Sequence, residues 1–448
     1  MRYANNYQLL VFFSCIFLHL RTLNYFVTPL IFNYKCYRGI TSAMSDLYVN
    51  TGYKDTSLAP FGPIGIIAHT SNQEFVKQVS DVLSQKRKIR AQRPGNIYAN
   101  TPGYSREDYL INTELTRFQT GEGKFGIGES VRGHDIFVIT DVLARSFEYD
   151  LLEGEHVISP DDQYMDLLRI ISVLKGKAKR INVIMPFVYE GRREKLDSHR
   201  ESYDCADMLK KLYKLGVANL IVFDPHDERI ANAVPLMSIE MPRCQFKITS
   251  SLLYRFGSIK MDKEHTLVVS PDETGISRAI FYSSHLNLPL GIFYRHRDYT
   301  VKINGEHPIR EFKFLGEDVK GKDILLIDDM INSGNTMLRT ADQLKRRGAQ
   351  DIYCLAPFGL FTDGLEVFDE AYKNGVIKCI CTTNLIYEPK ELLEREWYLQ
   401  ANMVPYVARI IDALNSDESV YDLINSTARL RDLASQIRIE EVFDEFEE

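Results

Sequence analysis

The sequence predicts an α/β fold of two duplicated halves, each a mainly parallel sheet flanked by helices. Three observations carry that expectation. Short buried-strand runs such as Ile324 to Ile327 alternate with stretches of helical periodicity, the signature of βα units. The segment Val131-Arg-Gly-His-Asp-Ile-Phe-Val-Ile-Thr-Asp141 repeats as Val319-Lys-Gly-Lys-Asp-Ile-Leu-Leu-Ile-Asp-Asp329. Further on, Leu212, Gly216 and Pro225 recur in order as Leu344, Gly348 and Pro357, which reads as a helix, a stopping glycine and a buried strand in both places. Either short match can arise by chance, but the shared order argues for duplication.

Along the chain, Leu9 to Leu20 and Leu23 to Ile31 are mostly apolar but are divided by Arg21 and Thr22. Neither piece reaches the ~20 residues of a spanning helix. Composition turns ordinary at Met44, so Met44 is read as the native start and residues 1–43 as upstream sequence, with a membrane anchor or signal peptide as the alternative. Residues 44–240 form the expected first half, and residues 86–117, with little periodicity, read as a long surface insertion. Ile181 to Met185 and Leu220 to Phe223 supply its later strands. The second half, residues 241–415, has Leu267 to Val269, Leu290 to Tyr294 and Ile324 to Ile327 as strands. Residues 416–448 read as an acidic helical tail, solvated and without a catalytic role.

The 448 residues, 45% hydrophobic and 26% charged, suit a globular enzyme of two domains. A net charge of −7 offers no general attraction to nucleic acid, so none is expected as a partner, and phosphate must be bound by local clusters. The 7 cysteines lack metal-site spacing and several lie in apolar runs, which fits reduced thiols and a cytoplasmic location.

Chemistry concentrates after Ile327. There an apolar strand delivers Asp328 and Asp329 to a short polar loop, Asn332-Ser-Gly-Asn-Thr336, that opens a helix in which Met337, Leu338, Ala341 and Leu344 recur until Gly348. Backbone N–H groups at that helix start, with the Ser333 and Thr336 hydroxyls, can hold a phosphate dianion, while the two acids suit ribose hydroxyls or Mg²⁺. The competing reading is a strand-to-helix turn with ordinary capping residues. In the first copy Thr140 replaces the first acid and no phosphate loop follows Asp141, so the sugar phosphate is assigned to the second half.

The composite resembles the PRPP-binding loop of type I phosphoribosyltransferases, and over residues 115–415 the chain resembles the ribose-phosphate pyrophosphokinases. The fold implied is two type I phosphoribosyltransferase-like domains. Phe118-Gln-Thr-Gly-Glu122 with Glu129-Ser-Val-Arg-Gly133 resembles a family segment whose first part contacts ATP from a neighbouring subunit, implying ATP contacts at Phe118, Thr120, Gly121 and Glu122, and a homo-oligomer. By itself that stretch is a polar turn before a strand. Pro186-Phe-Val-Tyr-Glu-Gly-Arg-Arg-Glu-Lys195 places Arg192 and Arg193 on the family's other ATP contacts, although such a run is otherwise a solvated basic loop. Phe223-Asp-Pro-His226 and Ser270-Pro-Asp272 resemble segments that imply Mg²⁺ ligation by His226 and Asp272.

The departures are specific. Tyr294-Arg-His-Arg297 lies where the family has Asp-Lys-Arg-Arg, so Arg295 replaces a catalytic lysine while Arg297 is retained. Thr120, Arg193, Thr274, Asn332 and Asn335 also depart from the pattern. The resemblance implies an ATP-dependent ribose-phosphate diphosphokinase, with Arg295 and Arg297 catalytic and Arg297, Asp328, Asp329, Asn332, Ser333, Gly334, Asn335 and Thr336 holding ribose 5-phosphate. A catalytically silent regulatory homologue and a PRPP-consuming phosphoribosyltransferase are the alternatives.

Overall fold

The computed structural model describes residues 59–433, apart from 70–71, 94–95, 146–147, 152–153, 194–199 and 298–308, and these belong to one compact unit. The expectations for residues 1–43 and for the chain end after 433 lie outside the described residues.

The first half runs β1 (Ile64–Ala68), α1 (Gln73–Ala91), β2 (Thr113–Arg117), β3 (Gly123–Ile127), β4 (Asp135–Ile139), β5 (Glu148–Leu151), β6 (Gly154–Val157), α2 (Pro160–Leu174), β7 (Arg180–Ile184), α3 (Asp204–Leu215), β8 (Asn219–Ile221) and β9 (Ser238–Glu240). The second runs α4 (Gln245–Arg255), β10 (Thr266–Ser270), α5 (Ile276–Leu286), β11 (Leu290–Arg297), β12 (Ile309–Leu315), β13 (Asp323–Ile327), β14 (Met330–Ile331), α6 (Asn335–Arg346), β15 (Ile352–Leu355), β16 (Phe358–Gly359), α7 (Glu366–Lys373), β17 (Cys379–Thr383), α8 (Lys390–Leu393), β18 (Tyr398–Ala401), α9 (Val404–Asn415) and α10 (Tyr421–Ile424).

The two main sheets have the orders β1-β4-β7-β8-β9 and β12-β11-β10-β13-β15-β17-β18. All neighbours are parallel except β11 and β12. Parallel strands need crossover helices that cover both sheet faces, so their strands are apolar throughout. β4 and β10 are buried along their whole length, as that rule requires. The helices meet them with one stripe each: in α6, Met337, Thr340, Ala341 and Leu344 are buried, a spacing of three to four residues.

The duplication is real and the first repeat is in register. β4 and β13 occupy the same second place counted from β1 and β10, and the turns before them are made by Gly133 at φ 78° and Gly321 at φ 72°, a left-handed conformation that glycine adopts without strain. The second repeat is corrected. Sheet order makes β15 the counterpart of β7, so Gly348 corresponds to Gly176, whereas Gly216 corresponds to Gly375. The sequence match slipped by one βα unit because every unit ends alike: Gly176, Gly216, Gly348 and Gly375 all have positive φ, from 67° to 92°.

Two more expectations change. Residues 86–117 are no loose surface insertion: 86–91 complete α1, 113–117 form β2, and Tyr104, Tyr109 and Ile111 are buried against the first half. The Tyr109 hydroxyl donates to Tyr104 O at 2.8 Å, so short-range polar bonds replace the missing periodicity. The tail beyond Ser416 is not wholly solvated either. Glu418 takes ion pairs from Arg90 at 2.8 Å and Arg409 at 2.9 Å, and Leu430 is buried.

The boundary at residue 415 also hides a crossing. α9 belongs to the chain of the second half but packs on α1 of the first. Asp412, buried, receives Arg87 at 2.8 Å and Arg90 at 3.1 Å, while Asn415 joins Arg87 and Asp135 at 2.8 and 2.9 Å. Arg87 is 1% exposed, so this is an interior charge network rather than a surface one.

Candidate active site

The carboxyl ends of the two parallel sheets face one another, and the loops that leave them meet. Phe187, after β7, packs edge-on against Phe358, with ring centroids 5.4 Å apart. Asp141, after β4, accepts from Tyr387 N–H of the other half at 2.6 Å and from Leu143 N–H at 2.9 Å. Burial pushes its carboxyl up to about 6 even so. Strand ends are where open α/β sheets bind ligands.

His226 reaches this junction from the first half. β8 gives way to Val222-Phe223, and at Asp224 the chain turns with φ 40°. The Asp224 carboxylate accepts from Cys244 N–H and Gln245 Nε2, both at 2.7 Å. Beyond Pro225, His226 Nε2 lies 3.9 Å from Asp329 Oδ2.

The second half supplies the acids. β13 delivers Asp328 and Asp329 side by side, with Asp329 N–H donating to Asp328 Oδ1 at 2.8 Å. Burial, then the negative charges of Asp329 and Asp272, hold the Asp328 carboxyl well above the ordinary carboxylate range. Asp272 follows β10 and folds back on its own loop: its Oδ1 accepts from Thr274 N–H at 2.9 Å and Gly275 N–H at 3.2 Å. A Cβ on Gly275 would come within 3.8 Å of Asp328 Oδ1, which measures how closely the two loops approach. Nothing local in the sequence pairs His226 with Asp329, since they follow strands of different sheets.

The loop that follows opens α6 as expected. Gly334 is its N-cap, with φ 82° and no side-chain capping bond, and in the first turn Asn335 N–H makes a long contact of 3.5 Å to Ser333 Oγ, so the turn offers N–H groups to the loop. A Cβ at Gly334 would lie 2.1 Å from the Phe368 ring, so only glycine fits. Asn332 and Asn335 are exposed, and Ser333 and Thr336 are half-buried.

Arg295 and Arg297 are described by their strand positions. β10 pairs with β11 only as far as Ser270 opposite Ile292, so Arg295 and Arg297 continue beyond the end of β10, paired with β12 opposite Phe312 and Ile309. Arg192 and Arg193 are exposed after β7, following a tight turn at Glu190 with φ 53°, and Lys195 lies outside the described residues. The tip of the β2–β3 hairpin stands apart: Phe118 is 48% exposed, and among the described residues the tip's hydrogen bonds stay within the hairpin, including Phe118 N–H to Glu122 O at 2.9 Å and Thr120 Oγ1 to Glu122 at 3.1 Å. Gly121 makes its turn at φ 86°.

One residue escaped the sequence reading. Arg278 on α5 is buried with Ala279, Tyr282 and Leu286 and donates to Asp224 O at 2.9 Å and Pro225 O at 2.8 Å. Its signal was an arginine on the apolar stripe of a helix, where a surface charge is not expected.

Known proteins match most of this chain. Residues 64–216 match the model of the N-terminal domain of ribose phosphate pyrophosphokinase, and residues 248–393 that of the phosphoribosyl transferase domain. A ribose-phosphate pyrophosphokinase of Fusobacterium nucleatum is 28% identical over 318 residues, 70% of this chain and 91% of that protein. A putative ribose-phosphate pyrophosphokinase 2 of Streptococcus mutans is 28% identical over 287 residues, 64% of this chain and 79% of that protein. The crystal structure of the phosphoribosylpyrophosphate synthetase from Mycobacterium smegmatis superposes with a TM-score of 0.61 at 21% identity, covering 79% of this chain and 99% of that one, which shows a shared fold. Two family models in tandem, a duplicated parallel-sheet architecture and relatives of one name agree: this chain belongs to the ribose-phosphate pyrophosphokinase family.

Proposed function

We propose that this chain is a ribose-phosphate diphosphokinase, transferring the diphosphoryl group of ATP to the anomeric hydroxyl of ribose 5-phosphate to give PRPP and AMP. The observation that carries the reading is the approach of His226 to Asp329 beside a glycine-capped anion loop, because it joins a metal-suited donor set to a phosphate cradle. Such a transfer asks the protein mainly to align an oxygen with phosphorus and to neutralise developing charge.

In this reading the first-turn N–H groups of α6 and the hydroxyls of Ser333 and Thr336 hold the 5-phosphate, and Asp328 and Asp329 orient the ribose hydroxyls. Arg295 and Arg297 neutralise the transferring group from the end of β11. Arg192 and Arg193 take ATP, and the exposed tip from Phe118 to Glu122 serves the ATP of a neighbouring copy in a homo-oligomer.

The donor set suits Mg²⁺ of one kind. Among the described residues no three His, Cys, Asp or Glu side chains converge to hold a metal by themselves. The crowding that raises the Asp328 carboxyl is relieved by a cation, and Mg²⁺ characteristically takes one or two carboxylates and completes its shell with water and phosphate oxygens. His226 with Asp272 and its neighbouring acids would hold it, and the ion would supply positive charge against the ATP phosphates.

Purified protein incubated with ribose 5-phosphate, ATP and Mg²⁺ is expected to yield PRPP and AMP in equal amounts. A second reading, a silent regulatory homologue, is favoured by one observation, Arg295 at the lysine position. It would be selected by a folded protein that forms neither product but changes the rate of an active homologue. Consumption of PRPP with a nucleobase and no ATP requirement would instead select a phosphoribosyltransferase.

A further inference from the structure

We infer that Arg278 is a positioning residue for the metal site, holding the backbone that aims His226 at the acid cluster. The inference rests on the proposed role of His226 as a metal donor. Arg278 is 7% exposed, and its guanidinium donates to two consecutive carbonyls, Asp224 O at 2.9 Å and Pro225 O at 2.8 Å. The second of these belongs to the peptide group that carries the His226 nitrogen. A guanidinium buried against neutral oxygens gives up much hydration, which makes it a costly device for mere packing.

The loop it holds is fastened at several points. Asp224 has φ 40°, a left-handed conformation that aspartate adopts more readily than most side chains, and its carboxylate is committed to Cys244 N–H and Gln245 Nε2 at the start of α4. Asp224 is thus fastened twice, by its carboxylate to α4 and by its carbonyl to α5. Pro225 then fixes a further φ, so little freedom remains between the clamp and the imidazole. On the open side, a cavity of about 680 Å³ is lined by His226, Thr274 and Arg278, and the guanidinium is what braces the loop there.

The same helix begins at the other proposed donor. α5 is capped by Gly275, whose N–H donates to Asp272 Oδ1 at 3.2 Å, and Arg278 stands one turn further along. One rigid turn therefore relates the Asp272 loop to the His226 loop, although the two donors come from different halves. Both bonds come from Nη2, at the far end of a planar guanidinium, and lysine would keep the charge but carry it on a compact, more strongly hydrated ammonium.

The full chain loaded with Mn²⁺ as a paramagnetic probe reads this directly. Electron spin echo modulation is expected to show histidine nitrogen in wild type and none in His226→Ala. Arg278→Ala is expected to lose that nitrogen signal and to bind Mn²⁺ about 10- to 100-fold more weakly, the usual effect of removing a partner that orients a ligand. Its affinity for ribose 5-phosphate without metal should stay unchanged. Arg278→Lys is measured in parallel, with an expected weakening of about 10-fold. Arg255→Ala is the matched control: Arg255 also donates to two carbonyls, those of Glu396 and Tyr398, away from this loop, and should keep wild-type Mn²⁺ coordination. A folded Arg278→Ala or Arg278→Lys protein with wild-type nitrogen modulation and Mn²⁺ affinity overturns the inference. Absence of nitrogen modulation from wild type itself would overturn the role of His226, a distinct result.

Discussion

His226 Nε2 and Asp329 Oδ2 lie 3.9 Å apart, yet one follows β8 of the first sheet and the other β13 of the second. Their meeting places the candidate site at the junction between the halves. The first copy, with Thr140 where the second has Asp328, uses Asp141 to bind the Tyr387 N–H across the same junction.

Asp328→Asn is expected to stabilise the ligand-free protein at neutral pH while lowering turnover by roughly 100-fold or more, as loss of an electrostatic contact does. The sign follows from its raised carboxyl: a group that ionises near 3.8 when unfolded but much higher when folded penalises the folded state as pH rises between those values. Thermal melts across pH should show wild type gaining stability relative to Asp328→Asn as pH falls. Mg²⁺ should narrow the gap at high pH.

Gly334→Ala should cost roughly 2–5 kcal/mol, combining a left-handed residue with overpacking against Phe368. Denaturant titration measures the loss. Calorimetry should show ribose 5-phosphate affinity falling with it, because the loop must move to admit the methyl group.

Arg295→Ala should lower kcat by about 100-fold, equivalent to roughly 2.7 kcal/mol, if arginine carries the charge stabilisation. Steady-state assays of a folded variant decide it, and unchanged turnover would remove Arg295 from the mechanism. An inactive wild type that gains activity in Arg295→Lys would establish the regulatory reading.

Thr336→Ala should weaken ribose 5-phosphate and leave ATP affinity nearly intact, whereas Arg192→Ala should do the reverse. Separate calorimetric titrations check the division of labour between halves. Equal losses for both ligands in both folded variants would contradict it.

Asp412→Ala should destabilise the protein by about 3–5 kcal/mol, since it leaves the buried Arg87 and Arg90 without their shared acid. Truncation before Val404 should be worse still, removing the helix that covers α1. Chemical denaturation and proteolysis of the first half are the readouts.

Much of the second half was legible in the sequence because local rules write it there. The span from Ile324 to Ile327 became β13 with one further residue, Met337, Ala341 and Leu344 formed the buried stripe of α6, and Gly334 and Gly348 took the left-handed turns their positions demanded. Strand period, helix period and positive φ are properties of a few consecutive residues, so they survive without any knowledge of packing.

Tertiary structure alone decided which distant residues would touch. Arg87 fell within the expected surface insertion, yet it belongs to an interior ion network with Asp412. Nothing local marks Arg278 as the brace of the His226 loop, or Asp141 as a tie to Tyr387. Such contacts depend on how two sheets and their loops come together across hundreds of residues, and a charge destined for burial has the same neighbours in sequence as one destined for water.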